Sequence, residues 1–141
     1  MSTTPEIKRI FIDGQRKSLG AMRRFVEFEK AEDYYTKLGY KVFNSITADC
    51  KLVIMEHREL KQSEKIAYHL QQIAACDALV LLSGWETDFN IRIKIAFCVS
   101  QGIPILEAFT NRYILAEVDL NPNVEYHAIL SNSVLTRERL N

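Results

Sequence analysis

The stretch Cys76–Ile105, CDALVLLSGWETDFNIRIKIAFCVSQGIPI, decides how this chain is read. Ala78 to Leu82 is apolar without alternation, the pattern of a central parallel strand covered on both faces. Ser83 to Asp88 is a short loop that holds a glycine, a tryptophan and two carboxylates. Phe89 to Gln101 has helical length, Gly102 stops it, and Ile103 to Leu106 opens the next strand. Strand, loop, helix, glycine stop and strand make one β–α–β unit of a parallel sheet.

The flanking sequence repeats the alternation. Lys8 to Asp13 is a short apolar run closed by Gly14, which suits a buried first strand. Ser18 is placed to cap a long helix to about Leu38, with Met22, Phe25, Phe28, Tyr35 and Leu38 near helical spacing and Gly39 as its stop. Tyr40 to Phe43 reads as a second strand, and Asn44-Ser45 as the start of a loop. Residues 46–56 fit either a helix or a short strand around Leu52 to Met55. A helix from about Glu59 to Ala75 carries Leu60, Ile66, Ala67, Leu70 and Ile73 on one side. Beyond Thr110 the expectations are a helix over residues 112–119, a turn at Asn121-Pro122-Asn123 and a short strand from Tyr126 to Leu130. The expected fold is one domain over residues 1–141: a three-layer α/β/α sandwich around a mainly parallel, flavodoxin- or Rossmann-like sheet of about five strands.

Composition narrows the function classes. The chain has 141 residues, 48% hydrophobic and 26% charged, with a formal net charge of zero. No bulk field draws it to nucleic acid or to an anionic membrane, and neither is expected as a partner. No apolar run approaches the roughly 20 residues that span a bilayer. The amino-terminal MSTTPEIKR lacks the apolar core of a signal peptide. The three cysteines, Cys50, Cys76 and Cys98, show no metal spacing, and Cys76 and Cys98 sit in apolar surroundings as core thiols. A reducing cytoplasm is the expected compartment. His57, His69 and His127 form no HExxH or paired pattern, and no GxSxG is present, so neither a metal nor another cofactor is expected.

In a doubly wound sheet, ligands bind beyond the carboxyl ends of the strands at the switch point. Two loops meet that description. Gly14-Gln15-Arg16-Lys17-Ser18 follows the first strand and places two cations and a hydroxyl at a helix start, a setting that favours an anion such as a 5′-phosphate. It is equally a solvated turn ending in a cap. Ser83-Gly84-Trp85-Glu86-Thr87-Asp88 follows the third strand. Trp85 there is either a stacking surface or a core-edge anchor. Glu86 is either a ligand or proton-handling group or a solvated charge, and Asp88 can do the same work or cap the next helix. Arg23-Arg24 reads as a solvated face of the first helix, and Tyr34-Tyr35 as packing.

Several segments carry a resemblance. Ile10 to Gly14 forms a strand-to-glycine opening. Leu38-Gly39-Tyr40-Lys41-Val42-Phe43-Asn44 is similar to an "LGhxVxNP" segment with Ser45 in place of proline. Cys76-Asp77-Ala78 followed by Leu81-Leu82-Ser83-Gly84-Trp85-Glu86 is similar to a "CDAxxLLPGWE" segment. Gly102-Ile103-Pro104-Ile105 is similar to "GxPV". Over about residues 8 to 106 the chain thus resembles the nucleoside 2-deoxyribosyltransferase-like superfamily, in the uncharacterised branch with the CDAxxLLPGWE form.

The resemblance implies a nucleoside or nucleotide ligand and a homo-oligomer, dimer or higher. In the enzymes of that family, a glutamate on the helix after the third strand attacks the anomeric carbon, because an oxocarbenium-like transition state demands a carboxylate. Alignment puts Lys94 at that position, with Arg92 and Ala96 kept, Asn90 in place of a glycine, and Asp88 six residues before it. His69 takes the place of an Arg-Asp pair on the preceding helix. An ammonium cannot form a glycosyl ester. No catalytic residue is therefore assigned, and the expected protein is a degenerate member that binds its ligand through Asp13, Gly14, Gln15, Arg16, Gly84, Trp85, Glu86 and Asp88. Lys94 would face a phosphate or a carboxylate. Two other readings stand beside it: an N-glycosidase or deoxyribosyltransferase that uses Glu86 or Asp88, and an oligomeric interaction module whose pocket is closed.

Overall fold

The computed structural model describes residues 6–15 and 20–114. Four strands, β1 (Arg9–Asp13), β2 (Lys41–Asn44), β3 (Ala78–Leu81) and β4 (Ile105–Glu107), form a sheet in the order β2-β1-β3-β4. All three pairings are parallel, with Ile12 beside Asn44 on one side and Val80 on the other. This is the flavodoxin-like order, with its switch point between β1 and β3. The fifth strand expected near Tyr126 lies outside the described residues.

Four helices cover the sheet: α1 (Ala21–Lys37), α2 (Ser45–Glu56), α3 (Gln62–Ala74) and α4 (Phe89–Gln101). Side chains alternate across each strand, so every strand feeds two cores. Ile10, Ile12, Ala78, Val80 and Leu82 pack with Phe28, Ala31 and Tyr35 of α1. Phe11, Leu79, Leu81 and Ile105 pack with Ile73 of α3 and with Ile91, Ile95 and Cys98 of α4. The result is three layers around the sheet, as the apolar runs imply. The same alternation carries Asp13, two residues beyond Phe11, onto the α4 face.

Some expectations change. The buried stripe of α1 is Phe28, Ala31 and Tyr35, whereas Met22, Phe25 and Leu38 are exposed. At about 100° per residue, Met22 and Phe25 turn away from that stripe, and Leu38 lies past the last turn. Helix α3 starts at Gln62 rather than Glu59, so the buried Leu60 precedes it; on the helix Ile73 is buried, Ala67 is exposed, and the buried polar residue is His69. Asn44-Ser45 opens a helix rather than a loop: Asn44 Oδ1 accepts the Thr47 N–H at 2.8 Å and caps α2. That cap decides the ambiguous residues 46–56. The fourth strand starts at Ile105, two residues later than read, and Pro104 already accepts the Leu79 N–H. Residues 112–114 are not helical; Tyr113 bridges antiparallel to Leu106, and the rest of the helix expected there lies outside the described residues. The cap expected of Ser18 also lies outside them.

The aspartate of the CDA motif is structural. Asp77 Oδ2 accepts the Arg9 and Lys8 N–H groups at 2.9 Å each, tying the entry of β1 to the entry of β3. The bonds from Arg9 and Lys8 hold its carboxyl below the usual carboxylate range.

Burial pushes the Cys76 thiol up to about 11 and the Cys98 thiol up to about 12, while Cys50 is exposed. The thiolate is the reactive form. Native protein at neutral pH should therefore take up one equivalent of an alkylating reagent, at Cys50, and three in denaturant. Rapid native labelling of Cys98, read by mass spectrometry, would contradict this packing. Among the described residues no helix is long and apolar enough to cross a membrane.

Candidate functional site

The crevice at the carboxyl ends of β1 and β3 is built from three elements tied to one carboxylate. Asp13, the last residue of β1, is 0% exposed. Its Oδ1 accepts the Gly14 N–H and the Ser45 hydroxyl, both at 2.8 Å, and its Oδ2 accepts from the Lys94 ammonium. Lys94 comes from the middle of α4 and is 2% exposed. A buried charge of either sign is costly alone, and this pair is both matched and hydrogen-bonded. The carboxylate that the lysine meets in this structure is Asp13 of the protein itself.

Beside that pair lies a second buried polar contact. His69 of α3, 2% exposed, has Nε2 at 2.6 Å from Asp49 Oδ1 of α2, and its ring packs against Phe11 with centroids 5.9 Å apart. Asp88 caps α4, accepting the Asn90 N–H at 2.9 Å and the Ile91 N–H at 3.4 Å. Asp13, Gly14, Asp49, His69, Asp88 and Lys94 together line a cavity of about 210 Å³, with Arg24, Gln62, Lys65 and Asn90 completing its wall. Each of its carboxylates has a partner within the protein, Asp88 through Oδ1.

A larger cavity of about 360 Å³ adjoins it, and Arg24 lines both. Gln15, Gly84, Trp85 and Glu86 line the larger one, with Arg23, Glu27, Phe28, Leu82, Ser83 and the turn Glu107–Phe109. The two loops converge as the strand order requires. A Cβ on Gly14 would come within 2.9 Å of Leu82 Cβ, and a Cβ on Gly84 would collide with the Gln15 side chain. Gly84 has φ +90, which glycine adopts at little cost.

The sequence-read residues divide between the two cavities. Asp13, Gly14, Asp88 and Lys94 belong to the smaller, and Gln15, Gly84, Trp85 and Glu86 to the larger. Arg16 lies outside the described residues. Trp85 is 2% exposed and packs into the α3–α4 core, in the short 3-10 turn Trp85–Thr87, so most of its ring is an anchor. Glu86 is half-buried, and its carbonyl accepts from Arg92 at 3.2 Å.

Sequence reading missed Arg24, Asp49, Lys65 and Phe109. Arg24 is half-buried in the crevice instead of solvated. Asp49 and His69 stand on different helices, 20 residues apart, with no spacing that announces a pair. Among the described residues, no group of three His, Cys, Asp or Glu side chains is arranged to hold a metal ion.

Compared with known families, residues 8–107 match the family model described as "Domain of unknown function (DUF4406)". No curated protein matches the chain.

Proposed function

The chain belongs to the DUF4406 family, and on that premise we propose that it binds a nucleoside, nucleotide or nucleotide-derived ligand across the two adjoining cavities, without glycosyl-transfer chemistry on α4. The observation that carries this reading is the state of Lys94. At the position where the deoxyribosyltransferases that this chain resembles carry their nucleophile, the amine is 2% exposed and bound to Asp13. A charged, buried amine has no lone pair to offer an anomeric carbon, and its charge opposes an oxocarbenium. Asp88, the other acid near that position, is held by two backbone amides on Oδ1 as the cap of α4.

The recess itself suits a ligand of two characters. Its smaller part is polar and charged, as a sugar or phosphate requires. Its larger part adds Phe28, Leu82, Ala108 and Phe109 to polar residues, as a base requires. Arg24, shared by both, is placed to hold the junction. The exposed apolar side chains of α1 (Met22, Phe25, Val26) and α2 (Val53, Ile54, Met55) favour a homo-oligomer, and the free, exposed Cys50 suits a reducing cytoplasm.

Thermal stabilisation across a panel of nucleosides, deoxynucleoside monophosphates and nucleotide sugars tests the proposal. A ligand at about a hundred times its dissociation constant should add about 2.7 kcal/mol. A selective shift without base release is the expected result. No shift with any member would remove the binding reading. Base release that disappears in Glu86→Gln or Asp88→Asn would remove the non-catalytic one.

A further inference from the structure

Among the described residues in the wall of the larger cavity, the one exposed aromatic residue is not the tryptophan. Phe109 is 43% exposed, whereas Trp85 and Phe28 are buried. The backbone of Phe109 is also left-handed, with φ 70, an uncommon and strained conformation for a bulky side chain. Two residues on, Asn111 has φ 57. Such strain persists only where surrounding bonds over-determine it, and it clusters at ligand-contacting positions.

Here the determining group is Tyr35 of α1. Its hydroxyl accepts the Phe109 N–H at 2.9 Å and donates to Asn111 Oδ1 at 2.6 Å. Burial raises the Tyr35 hydroxyl above its ordinary value, so it keeps the proton it donates. The turn is closed at its base by Asn111 N–H to Glu107 O at 2.9 Å and by Thr110 Oγ to Glu107 Oε1 at 2.8 Å. The Phe109 ring meets Tyr34 nearly edge-on, with centroids 5.2 Å apart, yet it remains partly exposed at the cavity.

We propose that Phe109 is the aromatic platform on which a planar heteroaromatic ring of the ligand stacks, and that Tyr35 is the residue that positions it. This deepens, and rests on, the nucleotide-binding reading. The polar remainder of the ligand then runs past Arg24 toward the smaller cavity. Base–aromatic stacking is tolerant of base identity, because every base has a π-face. The site therefore discriminates strongly for the presence of a base and weakly among bases.

The test compares the four deoxynucleoside monophosphates with 2-deoxyribose 5-phosphate, which carries the same sugar phosphate and no base. Wild-type protein should bind the nucleotides at least about tenfold more tightly. Phe109→Leu should erase that difference without weakening the sugar phosphate, and Phe109→Trp should retain it. Tyr35→Phe should weaken the nucleotides alone. Phe109→Asn, whose side chain tolerates the left-handed backbone, removes the ring while relieving the strain, and covers the case in which the leucine variant folds poorly. Nucleotide binding that survives in the leucine and asparagine variants overturns the platform and leaves the nucleotide reading standing. Wild-type protein that binds neither probe overturns both.

Discussion

Asp13→Asn should destabilise the protein by about 3–5 kcal/mol, and Lys94→Met by a similar amount, because each leaves the other charge buried without its partner. Both members are almost wholly shielded from water: Asp13 is 0% and Lys94 2% exposed. The asparagine is nearly isosteric, and its carbonyl oxygen can still accept from Gly14 and Ser45, but its NH2 then faces the Lys94 ammonium, so its cost combines the lost charge with two opposed donors. The double variant removes both charges and keeps that acceptor. It should be clearly more stable than either single variant, since matched buried ions replaced by neutral groups of similar volume are often close to neutral. Urea denaturation of the four proteins measures the coupling. Single variants within about 1 kcal/mol of wild type would mean that the pair is solvated. A related expectation concerns Lys94→Glu, which would place a second carboxylate against Asp13. It should destabilise the fold.

Trp85→Ala should cost about 3–5 kcal/mol, the loss typical of a large aromatic removed from a packed core. Trp85 is 2% exposed and sits in the cluster of Leu81, Ile91, Ile95 and Cys98. Its turn also sets the start of α4, since the Asp88 N–H donates to the Trp85 carbonyl at 3.1 Å and Asp88 then caps the helix. The substitution thus opens a void beneath the crevice and loosens the loop above it. Circular dichroism should follow the variant, because the only tryptophan is gone. Trp85→Phe should cost markedly less. A loss below about 1 kcal/mol for the alanine variant would show that the ring is not a core anchor.

Much of the scaffold is legible in local sequence. The β3–α4 unit was readable because its signals agree: an apolar run without alternation, a capping aspartate, a helical length and a glycine stop. Observed α4 spans Phe89–Gln101 with Asp88 as its cap and Gly102 at φ 71, as those signals imply. Helix α2 was not readable, because Ile46, Thr47, Val53 and Ile54 are β-branched and favour a strand as readily. The Asn44 cap decided it. The inward stripe of α1 was only half readable, because spacing alone does not say where the sheet lies under the helix.

The site divides along the same line. Sequence alone determined the parallel sheet and the two loops at its switch point, because each depends on neighbours along the chain. Only the tertiary structure decided that Lys94 is neutralised by Asp13, 81 residues away, that His69 meets Asp49, and that Phe109 rather than Trp85 presents an open ring. Those outcomes depend on which side chains share a low-dielectric space, where an unpaired charge is expensive and a partner from any element satisfies it. No local pattern encodes that choice of partner.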